Sequence, residues 1–316
     1  MIEKRQVGRS PLAIPPLVIG GNVFGWTADE PTSFAILDAC FDAGFNTIDT
    51  ADIYSVFVPG NKGGESETVI GKWLQRSGKR EQAIIMTKVG MQMAPGKTGL
   101  SRKHILASVE DSLRRLQTDY IDVYFAHQDD PETPLGETLS TFAQLIEQGK
   151  VRTLGASNYT GSRLRQALDI SRQLGIARFE IVQPHYNLYD RASYESDLEA
   201  LCRQEQLGVT PYFALASGFL TGKYRSPADF NKSPRGARMT SFMNERGLRI
   251  LDALDAIAMR YGATPAQIAL AWLMARPGIT APIASATSVA QALEITAAAS
   301  LTLEEDAIRT LDTAAA

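Results

Sequence analysis

Apolar runs of strand length alternate with stretches of helical period along almost the whole chain. The first helix is expected over residues 31–43, where apolar residues recur at helical spacing and Gly44 supplies a C-terminal stop. Another begins after Ser101, whose hydroxyl suits an N-cap. Strands are expected in NTID, AIIMTK, YIDVYFAH, VRTLGAS, FEIVQP, GVTPYFAL and ITAPIAS. Further helices are expected in SETVIGKWLQ, PLGETLSTFAQLIEQG, SRLRQALDISRQLG, SDLEALCRQEQ, TPAQIALAWLMAR and VAQALEITAAA.

Together with the run that ends at Gly20, the pattern gives eight candidate parallel strands. Eight strand-helix units with short right-handed connections close into an α/β fold, the (β/α)8 TIM barrel, which typically needs about 250 residues. The 316-residue chain exceeds that length. We assign the excess to an N-terminal hairpin from RQV and LAIPPLVIG, a polar loop over 217–244, and an extra helix in RGLRILDALDAIAMRYG. No linker or repeat divides the chain, so we predict one domain over 1–316.

Charge and composition limit the classes of binding partner that are expected. The formal net charge of −3 gives no field that would favour nucleic acid or an anionic membrane. No apolar run approaches the roughly 18 residues needed to span a bilayer, and the N-terminus lacks a signal-peptide core. Cys40 and Cys202 lie in helix-like patterns and are predicted to be buried thiols. These features predict a soluble, cytoplasmic protein that acts on small molecules.

Four residues that can hold, donate or steer a proton follow consecutive strand-like runs: Asp49, Tyr54, Lys88 and His127. In parallel barrels the active site lies at the C-terminal ends of the strands. Adjacent strands are about 4.8 Å apart, so these side chains can converge, with Tyr54 turning back over the mouth. The placement predicts a proton-donating cluster around a tyrosine.

The quoted motifs also carry a resemblance. GFNTIDTADIY, GESETVIGKWL, TKVG, SVEDSLRRLQTDYIDVYFAHQ, GKVRTLGASNY, VQPHYNL and YFALASGFLTGKY occur in an order and spacing that resembles the aldo-keto reductase superfamily over essentially the whole chain. The resemblance implies reduction of an aldehyde or ketone by NADPH, bound across the barrel mouth without a Rossmann domain. It implies a catalytic tetrad of Asp49, Tyr54, Lys88 and His127, and no metal.

The same resemblance implies cofactor-binding positions one at a time. Ser157, Asn158 and Gln183 match the side chains that hold the carboxamide, and Tyr212 matches the aromatic that stacks on the nicotinamide. Gly21 and Asn22 match positions that border the ribose, and Asp49 is counted with them. The loop that folds over the pyrophosphate matches Ala214, Leu215, Ser217 and Lys223.

The adenine end departs from the family pattern. Many relatives carry a basic residue where Thr287 stands, and that cation pairs with the 2′-phosphate of NADPH. Ser285 and Thr287 can donate hydrogen bonds to a phosphate, Gln291 and Glu294 match adenosine-binding positions, and Arg238 in the excess loop can supply the charge. NADPH is the expected cofactor, and NADH remains open. Phe213 and Ala214 also depart, because serine and proline are common there.

Alternatives remain open for the substrate class and for the function. Trp26, Phe57, Tyr54 and Gln128 can line the mouth, which suits a hydrophobic or ring-containing carbonyl compound. The enzyme can also work in the alcohol-oxidising direction. A second reading is a cofactor-binding regulatory subunit, since the pattern resembles the branch with the beta subunits of voltage-gated potassium channels. A third is a lyase that uses Lys88 as a Schiff-base nucleophile, which Asp49 disfavours by keeping the amine protonated. A metal hydrolase is disfavoured because a second histidine is missing at strand-end spacing.

Overall fold

A parallel barrel forms the centre of the fold in the computed structural model, which describes residues 2–233 and 236–316. The strands in these ranges are β1 (Arg5–Gln6), β2 (Ala13–Ile14), β3 (Val18–Gly20), β4 (Thr47–Asp49), β5 (Ile84–Val89), β6 (Ile121–Ala126), β7 (Val151–Ser157), β8 (Phe179–Gln183), β9 (Gly208–Val209) and β10 (Ile283–Ala284). β1 and β2 pair as an antiparallel hairpin. The other eight form one parallel sheet in the order β10, β3, β4, β5, β6, β7, β8, β9.

Hydrogen bonds between the two edges close this sheet. The N–H groups of Thr280 and Ile283 donate to the carbonyls of Val209 and Pro211 at 2.8 and 2.9 Å. These bonds join the β9 and β10 regions, so no sheet edge is left open there. The predicted (β/α)8 TIM barrel with an N-terminal hairpin is confirmed.

Helices surround the barrel, and most of those described begin at a side-chain cap. They are α1 (Glu30–Asp42), α2 (Glu65–Ser77), α3 (Arg102–Leu116), α4 (Leu135–Glu147), α5 (Gly161–Leu174), α6 (Glu199–Glu205), α7 (Glu245–Tyr261), α8 (Pro265–Ala275), α9 (Val289–Ala297) and α10 (Glu305–Ala315). Side-chain oxygens of Asp29, Ser101, Thr160, Asn244, Thr264 and Ser288 accept first-turn N–H bonds. In the described ranges no helix is long and apolar enough to cross a membrane.

The core has two layers. The larger one packs the helices against the outside of the barrel and includes the unpaired thiols of Cys40 and Cys202, both buried as predicted. The smaller one fills the barrel interior and is made of Val7, Ile14, Val18, Met86, Val123, Phe125, Ile181, Ala281 and Ile283. Because Val7 and Ile14 come from the hairpin, the hairpin plugs the end where the strands begin. The opposite end remains for a binding site.

Two expectations about elements need correction. The run GVTPYFAL keeps strand structure only at Gly208–Val209, and beyond Pro211 the backbone turns through left-handed residues such as Phe213. The run LAIPPLVIG divides into β2 and β3 around its two prolines, which interrupt the strand.

Helix α10 and part of the excess loop were not predicted. Helix α10 packs on α7 and buries Ala307, Leu311 and Ala315, which recur at helical spacing, so its pattern was present in the sequence and was overlooked. The excess loop contains short 3-10 helices at Ala216–Thr221, Pro227–Lys232 and Gly236–Ser241.

Gly155 tests how tightly the barrel interior is filled. A Cβ at this position would lie 2.4 Å from ring atoms of Phe125, inside the interior layer. We expect Gly155→Ala to lower the free energy of unfolding by about 1–3 kcal/mol, as overpacked cores do, measured by urea titration. Gly136→Ala is the matched control, because nothing lies within 4 Å of its added methyl. It should be neutral or stabilising by about 0.5–1 kcal/mol, and equal losses in both variants would refute the tight interior.

Candidate active site

The strand register brings three of the predicted residues to one end of the barrel. Asp49 is the last residue of β4 and lies beside Met86 of β5. Lys88 is next to the end of β5, and His127 follows directly after β6. The loop after β4 carries Tyr54 back over this end, where its carbonyl accepts the N–H of Gly64 at 2.8 Å. The sequence-predicted cluster is therefore assembled at the barrel mouth.

The Lys88 ammonium is the centre of the cluster. The side chain is fully buried, and Nζ lies 2.7 and 2.8 Å from the two Asp49 carboxylate oxygens and 2.7 Å from the Thr50 carbonyl oxygen. The Tyr54 hydroxyl is 3.4 Å from the same nitrogen. Since an ammonium only donates, the phenol oxygen accepts from Lys88 and keeps its own proton free for another acceptor.

Charge states follow from burial and from these partners. Burial opposes the Lys88 charge, but Asp49 and Tyr54 outweigh it and hold the pKa of Lys88 above its ordinary value. Burial raises the pKa of Tyr54, and the Lys88 charge only partly counters this. The phenol is therefore protonated at neutral pH, with the ammonium limiting the rise of its pKa.

His127 is a neutral imidazole. Burial, together with the Lys88 charge, holds the pKa of His127 well below its ordinary value. Its ring lies edge-on to the Tyr54 ring with centroids 6.0 Å apart. Its Nδ1 is buried without a hydrogen-bond partner. The ring is thus free to bind an uncharged oxygen at the mouth without bringing a second cation beside Lys88.

Gln183, Ser157 and Asn158 join the cluster through hydrogen bonds of their own. The Gln183 amide donates to Asp49 Oδ1 at 2.8 Å, and Ser157 Oγ donates to the Gln183 carbonyl at 2.9 Å. Asn158 Nδ2 donates to the His127 carbonyl at 2.8 Å, and its Oδ1 accepts from the Tyr212 hydroxyl at 2.8 Å. The predicted carboxamide and ring-stacking residues thus form one network with the predicted tetrad.

The residues expected beside the ribose also meet. The Gly21 N–H donates to the Asp49 carbonyl at 2.7 Å, and Ser285 Oγ donates to Asn22 Oδ1 at 2.6 Å. A Cβ on Gly20 would lie 2.3 Å from Ser285 Oγ, so only glycine allows this close approach of β3 and the segment after β10.

The loop predicted to cover the pyrophosphate has a strained backbone, and two exposed basic side chains lie on it and on the segment that follows. Phe213, Ala216 and Ser217 have left-handed φ values of 54, 47 and 57°, a conformation that costs energy for residues with a Cβ. Ala214 is buried and Leu215 half-buried, so the loop is anchored by apolar contacts. The exposed Lys223 and Arg238 form no ion pair with any described residue.

A cavity of about 590 Å³ opens beside this loop. Its walls include Ser217, Phe213, Arg238, His185 and Asp190. The His185 ring stacks on Tyr212 with centroids 5.3 Å apart, and its Nε2 is 3.2 Å from Asp190. The cavity therefore lies between the strained loop and Tyr212, whose hydroxyl donates to Asn158 in the hydrogen-bond network described above.

The predicted adenosine residues form a separate group at α9. Both the N–H and the hydroxyl of Thr287 donate to Gln291 Oε1, at 2.9 and 3.0 Å. Glu294 lies one turn further along the helix, half-buried. Arg238 is not among the hydrogen-bond partners of these residues in the described ranges, so the structure leaves the two groups unlinked.

The predicted mouth aromatics meet as a pair. Trp26 and Phe57 pack edge-on with ring centroids 4.9 Å apart, and the Phe57 side chain is 55% exposed. Gln128 follows His127 and is half-buried. No group of three or more histidine, cysteine or acidic residues in the described ranges is arranged to hold a metal ion.

Sequence reasoning missed a buried polar cluster behind Tyr54. Glu67 accepts from Thr87 Oγ1 at 2.6 Å and from Arg115 Nε at 2.7 Å, and the Tyr124 hydroxyl nearby has no partner. Asp52 is 2% exposed, and its Oδ1 has no hydrogen-bond partner. Burial, and then the Glu67 charge, raise the pKa of Asp52 to about 8. The available signal was an acid, Asp52, placed between the predicted acid and the predicted phenol.

Comparisons with known proteins agree with this geometry. A sequence model described as the Aldo/keto reductase family matches residues 16–316. A probable voltage-gated potassium channel subunit beta of Oryza sativa subsp. japonica is 33% identical, covering 93% of this chain and 90% of the relative. Aldo-keto reductase YhdN of Bacillus subtilis is 34% identical, covering 88% and 80%. L-glyceraldehyde 3-phosphate reductase of Escherichia coli is 32% identical, covering 92% and 85%.

Asp52 should make stability depend on pH. Its folded-state pKa of about 8 lies above the unfolded value, so its contribution is complete below the unfolded pKa and is lost as the pH rises through 8. Between pH 5 and 8 the cost should approach about 1 kcal/mol per pH unit. We expect Asp52→Asn, which mimics the neutral acid, to remove this decline in urea titrations.

Asp29→Asn is the control for that pH series. Asp29 is an exposed helix cap whose pKa is lowered by hydrogen bonds from Thr32, so its contribution is constant above its unfolded pKa. This variant should keep the wild-type slope. An unchanged slope in Asp52→Asn would show that Asp52 is ionised in the folded protein.

Proposed function

The chain belongs to the aldo/keto reductase family, whose members reduce carbonyl groups with a nicotinamide cofactor, and we propose that Tyr54 is its general acid and NADPH its cofactor. The substrate is a small aldehyde or ketone. The observation that carries the proposal is the Lys88 ammonium held between Asp49 and the Tyr54 hydroxyl at 3.4 Å.

The proton step follows from these contacts. Reduction places negative charge on the carbonyl oxygen, and a positioned acid must supply a proton there. Tyr54 carries that proton, because burial keeps its hydroxyl protonated and Lys88 occupies its lone pair. After transfer, the ammonium stabilises the phenolate at close range. Asp49 keeps the ammonium charged and in place, and is itself oriented by Gln183.

His127 orients the substrate in this proposal. A neutral imidazole can donate one hydrogen bond to the carbonyl oxygen without competing with Lys88 for the phenolate. Positioning the oxygen between His127 and Tyr54 aligns the carbonyl for reaction. The Trp26 and Phe57 pair would cover an apolar substituent, which favours a hydrophobic or ring-containing substrate.

The residues present fit a nicotinamide dinucleotide, which would supply hydride to the carbonyl carbon when bound. In this proposal Asn22 borders the cofactor, and Gly20 and Gly21 allow the close approach of its segment to Ser285 and Asp49. Ser157, Asn158, Gln183 and Tyr212 would hold the nicotinamide end. The pyrophosphate would lie along Ala214, Leu215 and Ser217 near Lys223. Gln291 and Glu294 would hold the adenosine, and Ser285, Thr287 and Arg238 the 2′-phosphate.

Asp49 contributes at the border of the proposed ribose site as well, since its carbonyl accepts the Gly21 N–H.

We place the protein in the cytoplasm as part of the proposal, in keeping with its two buried free thiols.

Removing the phenolic hydroxyl tests the acid. We expect Tyr54→Phe to reduce turnover of a generic aldehyde by about 100- to 10,000-fold, because one general acid contributes that much. Nucleotide affinity, followed by fluorescence titration, should stay within about twofold, since the phenol does not bind the cofactor in this arrangement. Tyr120→Phe is the control, because Tyr120 packs between Arg80 and Arg152 away from the mouth. Wild-type turnover by Tyr54→Phe would remove Tyr54 from its role.

Two cations in the excess loop test cofactor choice. Arg238→Ala should weaken NADPH binding about tenfold and leave NADH unchanged, because a charge-assisted phosphate contact is lost. Lys223→Ala should weaken both nucleotides, since both carry the pyrophosphate. Arg225→Ala, whose guanidinium is already paired with Asp255, should change neither. Equal losses for NADPH and NADH in Arg238→Ala would contradict the 2′-phosphate assignment.

A second candidate function is a cofactor-binding regulatory subunit with slow turnover. Similar proteins named as potassium channel beta subunits, in rice and in Schizosaccharomyces pombe, favour it. Mixing of the chain and an aldehyde with a large excess of NADPH separates the two readings, because an enzyme consumes many equivalents of NADPH per chain, whereas a sensor oxidises little beyond the nucleotide already bound.

A further inference from the structure

A second cavity lies behind the wall that carries Asp49 and Lys88. Its volume is about 260 Å³, and the loop over residues 93–101 and one face of α3 enclose it. The cavity shares no lining residue with the predicted tetrad or with the predicted cofactor positions. Whatever binds here would therefore occupy a place distinct from the carbonyl and the nucleotide.

The inner wall contains an unsatisfied group. Asp52 lines the cavity, is 2% exposed, and has a buried Oδ1 without a hydrogen-bond partner among the described residues. A carboxyl group buried in this way carries a desolvation cost that few protein contacts offset. A hydroxyl group at the cavity wall can pair with this carboxyl in either of its states, since a hydroxyl can donate to a carboxylate and accept from a carboxylic acid.

The lining also contains three basic side chains. Lys97 and Lys103 border the cavity and form no ion pair with a described residue. Arg115 adds a guanidinium that is bound to Glu67 through Nε and to Ser112 through Nη2, with no partner recorded at Nη1. The one other acid of the lining, Asp111, is already paired with Arg114 at 2.8 Å.

The N-terminus of α3 also borders this cavity and bears on its preference for an anion. Ser101 caps this 15-residue helix, and Ser101, Lys103 and His104 all line the cavity. The Arg102 N–H already donates to the Glu137 carboxylate and the His104 N–H to Ser101 Oγ, so among the first-turn N–H groups of the described chain that of Lys103 remains for an anion. Burial and the Lys97 charge lower the pKa of His104, so the ring is neutral and adds no repulsion to Lys97 or Lys103.

From these contacts we propose that the cavity binds a small hydroxylated oxyanion, a hydroxy acid or a polyol phosphate. Its anionic group lies between Lys97, Lys103 and the start of α3. Its hydroxyl group reaches the inner wall and pairs with Asp52.

Calorimetric titration of the full chain tests both ends of this ligand. The probes are glycerol 3-phosphate, glycerate, inorganic phosphate and glycerol. Glycerol 3-phosphate or glycerate should bind at least about tenfold more tightly than phosphate, and glycerol should not bind measurably. The stronger of the two organic anions identifies which source of the oxyanion the cavity prefers.

One double variant and one single variant separate the contribution of the two lysines from that of Asp52. Lys97→Ala with Lys103→Ala should weaken every anion at least about tenfold, whereas Lys4→Ala with Lys79→Ala, which removes the same charge elsewhere, should not. Asp52→Ala should reduce glycerol 3-phosphate to the affinity of phosphate and leave phosphate itself unchanged. Thermal unfolding confirms that each variant is folded.

Three results would overturn the proposal. One is glycerol 3-phosphate binding no better than phosphate to the wild type. Another is unchanged binding after loss of both lysines, which would place the anion at the barrel mouth. The third is equal weakening of all anions in Asp52→Ala, which would reveal a purely structural role. Tyr54→Phe should bind these anions normally, so failure of the reductase proposal leaves this test interpretable.

Discussion

The buried ammonium of Lys88 is the interaction on which the mouth of this barrel depends. A fully buried cation is tolerated only if its charge and its hydrogen bonds are satisfied, and Asp49 and the Thr50 carbonyl provide both at 2.7–2.8 Å. This requirement fixes the ends of β4 and β5 relative to each other. Gln183, which donates to the same carboxylate, extends the constraint to β8 on the other side of the barrel. The Tyr54 hydroxyl makes a longer fourth contact with the same nitrogen, at 3.4 Å.

Strand ends were readable from the sequence because periodicity and topology together determine where side chains emerge. Asp49, Lys88 and His127 each follow an apolar run, and a parallel barrel places all such ends at one mouth. The position of Tyr54 also followed from its short distance along the chain. By contrast, the direction of the Tyr54 pKa shift depends on the balance between burial and charge in the packed structure, and it cannot be read from the sequence.

Three other features were not predicted, and the reason differs for each. The left-handed turn from Phe213 to Ser217 is carried by residues that normally avoid that conformation, so local preference predicted a strand instead. Helix α10 does show helical spacing, at Ala307, Leu311 and Ala315, so it was readable from the pattern and was overlooked. The cluster of Asp52, Glu67 and Arg115 comes from a loop and two helices, and only the packed structure shows that an acid there lacks a partner.

The distribution of charge explains why the chemistry and the cofactor choice can change independently in this fold. The tetrad is held by strand ends that the closed barrel keeps fixed, and its charges compensate one another locally. Lys223 and Arg238, by contrast, stand on an exposed segment of short 3-10 helices with no ion-pair partner in the described residues. Under the proposed assignment of these two cations, a change in that segment alters which phosphate groups are attracted without disturbing Lys88. Conversely, the strain of the adjoining loop is sustained by buried residues such as Ala214 and Phe219, so its shape is set by packing before any anion arrives.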